Sequence, residues 1–213
     1  MIFEELLSVV EDEPVFETSL LLSGNVDPIN VRRQLSRWAS KGRLHRLRRG
    51  LYALAPPYRK VKPHPFVVAN RLVRPSYVSL QSALAFHGLI PESVPVTTSI
   101  TTGRPGKFST PLGGFLFRHV QVPLFQGFHE VEVDHRQLAV VATPEKALLD
   151  LLYLEKGSDS EAFIAELRLE MDDGFDLGEL ERLRQTFRSG KVLRAVAGVI
   201  DRARETAREV EVL

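Results

Sequence analysis

A mixed α/β protein is what this sequence predicts, with an N-terminal winged helix-turn-helix, then a mixed α/β domain and a helical C-terminus. Three observations carry that expectation. Positive charge is concentrated: eleven Lys and Arg residues and one acid, Asp27, lie between Asp27 and Lys62, whereas the 26 residues before them hold six acids and no Lys or Arg. The chain of 213 residues nets only +1, so the clustering is local and not a compositional habit. That basic segment reads as a helix with clear start and stop signals followed by a hairpin. Further on, strand-like runs between Val94 and Ala142 give way to helical ones.

Taken in order, Ile2 to Glu11 has near-helical apolar spacing at Ile2, Phe3, Leu6, Leu7, Val9 and Val10. Pro14 suits the first turn of a second helix to about Ser23, with Gly24-Asn25 as its break. In the third helix Asp27 suits the N-cap, Pro28 the first turn and Gly42 the residue after the end. Leu44 to Leu54 reads as a hairpin turning at Gly50; Leu44 and Leu47 are three apart, so the alternation is imperfect and a short, twisted wing is expected. Residues 1–57 form the expected DNA-binding domain, 58–64 a stiff Pro-rich linker, and 65–213 the second domain. There, helices are expected at Phe66–Val73 and at Leu80–His87, with Ser79 as cap and Gly88 as stop. Strands are expected at Val94–Thr102, Phe115–Val122, Phe128–Val133 and Leu138–Ala142, with Gly103–Gly114 as a loop. Thr143-Pro144 opens an apolar helix from Glu145 to Glu155, and helices follow at Ser160–Met171, Leu177–Arg188 and from Lys191 to about Arg208. Asp176 with Glu179 has capping-box spacing.

Composition excludes several classes. The chain has no Cys, so disulfides, Cys-ligated zinc, iron–sulfur clusters and thiol catalysis are all out of reach. The start, MIFEELLSVVED, is acidic without a basic n-region, so no signal peptide is expected. No apolar run approaches the ~20 residues of a membrane span, and a cytoplasmic protein is expected.

On a wheel of about 100° per residue the third helix has two faces. Val31, Leu35, Trp38 and Ala39 form an apolar stripe, while Asn30, Arg33, Ser36, Arg37 and Ser40 lie opposite, flanked by Arg32, Gln34 and Lys41. Arg can bridge O6 and N7 of guanine, and Asn can bridge N6 and N7 of adenine. Lys41, Arg43, Arg46, Arg48 and Arg49 would meet the flanking phosphates, which hold register and carry little sequence information. A merely solvated face normally interleaves acids with bases, yet no Asp or Glu occurs from Pro28 to Lys62. Double-stranded DNA is the expected partner, with two copies on an inverted repeat.

The Asp27-Pro28 helix followed by GRLHRLRRGLYAL resembles the N-terminal winged-helix domain of AbiEi-type antitoxins of abortive-infection toxin–antitoxin systems. YVSLQSALAFHGL (Tyr77–Leu89), the strand with Val96–Thr102, and VVATPEKALLDLLYL (Val140–Leu154) resemble the antitoxin domain that follows; ATPEKALLDL is the most specific part. The resemblance spans residue 1 to about 210, loosening after 155. It implies an autorepressor of its own operon that counters a nucleotidyltransferase-like toxin, by direct binding or indirectly. It places the DNA contacts at Arg32, Arg33, Arg37, Lys41, Arg43, Arg46, Arg48 and Arg49, and brings no catalytic residue, cofactor or metal. Residues 155–213 would serve dimerisation or toxin contact.

Other constellations are weaker. Gly103-Arg-Pro-Gly-Lys107 lacks the spacing and the Ser/Thr of a phosphate loop, although Arg104 and Lys107 can still meet DNA or toxin. His129, Asp134 and His135 evoke a metal site, but strand geometry sets the two histidines about 20 Å apart. Pro144-Glu145-Lys146 echoes a nuclease signature, yet Thr143 caps here and Glu145 faces the positive end of a helix dipole. The alternative function is a metal-dependent DNA nuclease with a winged-helix targeting module, carried by Glu130, Glu132, Asp134 and Glu145. His45 is expected to be solvated, His87 to suit a helix C-terminus, and Trp38 and Tyr52 to pack.

Overall fold

The structure, a computed structural model, describes residues 1–23, 26–134, 136–171 and 174–211. Its mixed α/β character is the one the sequence predicts. Helix α1 (Phe3–Val10) buries Phe3, Leu6 and Val10 of the apolar positions read from the sequence, while Ile2 and Val9 are exposed. The expected second helix is replaced by a strand, β1 (Phe16–Glu17), and a 3-10 turn over Thr18–Leu22. Tertiary pairing explains the difference. Phe16 and Glu17 pair with Tyr52 and Leu51, and the Thr18 amide donates to the Gly50 carbonyl at 2.8 Å, so this backbone is claimed by the hairpin. The expected break at Gly24-Asn25 lies outside the described residues.

Helix α2 (Pro28–Ser40) matches the third expected helix. Asp27 Oδ1 accepts from the Ile29 amide at 2.9 Å, and Gly42, at φ +70°, ends the run. Strands β2 (Leu44–Arg48) and β3 (Leu51–Leu54) form the hairpin, and the sheet order is β1-β3-β2. A bulge between Arg46 and Arg48 explains the irregular leucine spacing. Leu44 joins the core beneath α1 and α2, whereas Leu47 joins the larger core built mainly by the residues that follow. Strand β3 is likewise buried on both faces: Tyr52 and Leu54 face α1 and α2, and Leu51 and Ala53 face the second core.

The Pro-rich stretch is pinned. The His64 amide donates to Gln137 Oε1 at 2.8 Å, and Gln137 Nε2 donates to the Lys62 carbonyl at 3.0 Å. Helix α3 (Pro65–Leu72) then leads to β4 (Ser76–Val78), α4 (Leu80–Phe86) and β5 (Val96–Thr101). The loop expected at 103–114 contains an edge strand, β6 (Gly106–Thr110), paired with β7 (Gly113–His119). Its Gly/Pro flanks hide a short run whose only large apolar residue, Phe108, packs on the core. Strands β8 (Phe128–Asp134) and β9 (Gln137–Ala142) complete a six-stranded sheet of order β6-β7-β5-β4-β9-β8, with parallel β5/β7 and β4/β9 pairs.

Helix α5 (Pro144–Leu154) starts where Thr143 Oγ1 accepts from the Lys146 amide, as its sequence implies. Gly127, at φ +73°, passes so close that a Cβ there would sit 3.1 Å from the Lys146 side chain. Helix α6 is shorter than expected, Glu161–Glu166, because the chain turns at Arg168 (φ +45°) and the Glu170 amide donates to the Leu89 carbonyl. Helix α7 (Leu177–Arg184) is also shorter, and α8 (Gly190–Glu211) is longer. Asp176 Oδ1 accepts from the Gly178 and Glu179 amides, half of the expected capping box. The other half comes from elsewhere: Glu179 pairs with Arg182, and buried Glu145 accepts from the Asp176 amide at 2.8 Å. Among the described residues no helix is long and apolar enough to cross a membrane.

Candidate nucleic-acid interface

Helix α2 packs on β2 and on the 3-10 turn through Val31, Leu35 and Trp38. Trp38 is 7% exposed and meets the Phe3 ring edge-on at 5.3 Å, so it is core, as its place on the stripe implies. Tyr52 is buried and stacks on Phe16. With the apolar stripe inward, Asn30, Arg32, Arg33, Ser36, Arg37 and Lys41 are exposed.

The hairpin stands beside that face. Arg32 and Ser36 of α2 and Arg46, Arg48 and Arg49 of the hairpin line one groove of about 560 Å³, together with Glu17, Thr18, Ser19 and Tyr52. Glu17 is the carboxylate in this groove, and its Oε1 lies 3.8 Å from both Arg48 and Arg74. Among the described residues Arg32, Arg33, Arg37, Lys41, Arg46 and Arg49 make no ion pair with a carboxylate. Of these, Arg32, Arg46 and Arg49 line the groove together, and cations left unneutralised there form a field that attracts a polyanion.

Two of the expected phosphate contacts are engaged inside the protein. The Arg43 guanidinium lies 4.8 Å from the Phe3 ring and 6.0 Å from that of Tyr58, a cation–π arrangement on the flank. Arg48 donates to the Arg71 carbonyl of α3 at 3.3 Å and to the Arg49 carbonyl. It braces the hairpin against α3. The three-residue step from Leu44 to Leu47, which marks the bulge, was the available sequence signal for that inward turn. Sequence reasoning also passed over Ile29, which is 64% exposed at the start of α2.

His45 is partly buried, and burial followed by the nearby Arg59 charge lowers its pKa. His87 Nε2 donates to the Ala142 carbonyl at 2.8 Å, tying the end of α4 to β9. Ser79 stands at the N-cap of α4, as expected, but its hydroxyl makes no capping bond and donates instead to Asp150 Oδ2 at 2.8 Å.

That bond belongs to a buried network inside the ATPEKALLDL stretch. Lys146 and Asp150, both 0% exposed, pair one turn apart on α5. Lys146 Nζ also donates to the Tyr77 hydroxyl at 2.8 Å, and Tyr77 donates to Asp150 Oδ2 at 2.9 Å. Burial lowers the Lys146 pKa and raises those of Asp150 and Tyr77; the Lys–Asp attraction opposes the first two shifts. Without solvent access, these groups hold α5 to β4.

The acids of the nuclease alternative do not converge. Glu130, Glu132 and Asp134 are exposed on the edge strand β8, whereas Glu145 is buried at the start of α5 against Asp176. His135 of the considered metal site lies outside the described residues, and among those described no three of His, Asp and Glu gather as metal ligands.

A scan against protein-family models finds no match, and a search of curated proteins finds none.

Proposed function

We propose that this chain is a DNA-binding transcriptional autorepressor and antitoxin of a toxin–antitoxin operon. The N-terminal unit acts as a winged helix-turn-helix: α2 enters the major groove, and Arg46 and Arg49 of the hairpin hold the flanking phosphates. One observation supports this reading above all others. Arg32, Arg33, Arg37, Lys41, Arg46 and Arg49 sit on α2 and the hairpin with no carboxylate of the chain paired to them among the described residues. Two copies bind an inverted repeat with half-sites about one helical turn apart. The antitoxin role rests on the similarity of Tyr77–Leu89 and Val140–Leu154 to AbiEi-type antitoxins, whose toxins are nucleotidyltransferase-like.

Gel shifts over a salt series test the DNA reading. Arg33→Ala is expected to lose about 1–3 kcal/mol at one base position. Arg46→Ala is expected to weaken every duplex alike and to reduce the salt slope by about one unit. Wild-type binding by both variants would remove the surface from consideration. For the antitoxin role, co-expression with the nucleotidyltransferase of a neighbouring reading frame is expected to restore growth. Co-purification separates direct from indirect neutralisation, and unrelieved toxicity would sink the role.

A further inference from the structure

We infer that Ile29 reads the 5-methyl group of a thymine in the bound duplex. This deepens the DNA-binding reading above and rests on it. Val31, Leu35 and Trp38 define the inward direction of α2. At about 100° per residue, the point opposite their centre falls between Ile29 and Arg33, which stand one above the other at i, i+4. The outermost line of an otherwise polar face therefore carries a branched apolar side chain, 64% exposed. It lies in the first turn, because Asp27 caps through the Ile29 amide and Pro28 opens the helix.

An isolated exposed aliphatic residue needs no explanation on an ordinary surface. The surroundings of Ile29 are not ordinary. Asn30, Arg32, Arg33, Ser36 and Arg37 share the exposed side of the helix, and no acid occurs from Pro28 to Lys62. The complementary surface must be anionic yet offer one small apolar group. Major-groove DNA does so: the thymine methyl is the apolar feature among its base-edge donors and acceptors. Recognition helices also present their N-terminal residues to base edges. Ile29 and Arg33 would then read nearby bases, one by its methyl and one by its hydrogen-bond acceptors.

The test begins by selecting duplexes from a randomised library with the wild-type chain. Each thymine of the enriched site is then replaced by deoxyuridine, which removes only the methyl. Binding is compared for wild type and Ile29→Ala, whose fold is checked by circular dichroism. At one thymine per half-site the replacement is expected to weaken wild type about fourfold, the effect of burying one methyl-sized group. Ile29→Ala is expected to bind the thymine duplex about fourfold more weakly and to be indifferent to the replacement. An unchanged uracil penalty in Ile29→Ala, or no sensitive thymine, overturns the inference while sequence-specific binding stands. A variant that alters only self-association in sedimentation makes Ile29 a protein contact and overturns it too. If wild type enriches no sequence, the DNA reading itself falls.

Discussion

Arginine 48 shows how one side chain changes role once its surroundings are known. In the sequence it is one of several wing cations; in the structure its guanidinium donates to the Arg71 carbonyl and lies 3.8 Å from Glu17. Arg48→Ala is therefore expected to lower the melting temperature and to reduce the salt slope of DNA binding less than Arg46→Ala, measured by thermal denaturation and gel shift. Lys146 and Asp150 make the same point in the core. Removing one member of a buried pair strands the other charge, so Lys146→Met is expected to cost about 3–5 kcal/mol in urea denaturation. The double change Lys146→Met with Asp150→Leu is expected to cost less than the sum of the singles, because no charge is left behind. A double variant as unstable as that sum would show that packing, not charge, sets the requirement.

At the scale of elements, the start of α3 carries a pH-sensitive cap. His64 Nδ1 accepts from the Phe66 amide at 3.2 Å, which requires an unprotonated ring nitrogen. Burial lowers the His64 pKa from 6.5, with Asp134 opposing. A depressed folded-state pKa gives stability that is present above the unfolded value and is lost as pH falls through the folded one. Unfolding free energy is thus expected to be level from pH 8 to 7 and to decline below about 6.5. His64→Asn keeps an acceptor at the cap and should remove part of that decline. His64→Ala should lose roughly 0.5–2 kcal/mol even at pH 8. His45 contributes slope of the same sign, so a residual decline is expected. A decline unaltered in His64→Asn would locate the sensitivity elsewhere.

For the molecule as a whole, the decisive feature is that β3 serves two cores at once. Leu47, Leu51 and Ala53 would face water if residues 65–213 were removed, together with the partly buried Arg48. A fragment of residues 1–64 is expected to bind hydrophobic dye and to lack a cooperative melt. In the full chain, Trp38, the single tryptophan, reports on the N-terminal core, while far-ultraviolet circular dichroism reports on all helices. The two unfolding curves are expected to coincide. Separate midpoints would show two independently folding units.

Much of this was legible in the residues, wherever the physics is local. The boundaries of α2 follow from Asp27, Pro28 and Gly42, because capping and turn conformations involve only neighbouring backbone. The inward stripe of Val31, Leu35 and Trp38 follows from helical periodicity, and with it the outward set from Asn30 to Lys41. What failed at the level of sequence was non-local. The segment after Pro14 pairs with a strand more than thirty residues away, and no propensity within Val15–Leu22 reports that partner. Arg43 and Arg46 are chemically identical, yet one meets an aromatic flank and the other stays open to a groove. That division is made by long-range packing, which brings Phe3, Tyr58 and α3 up to particular arginines and leaves the rest facing outward.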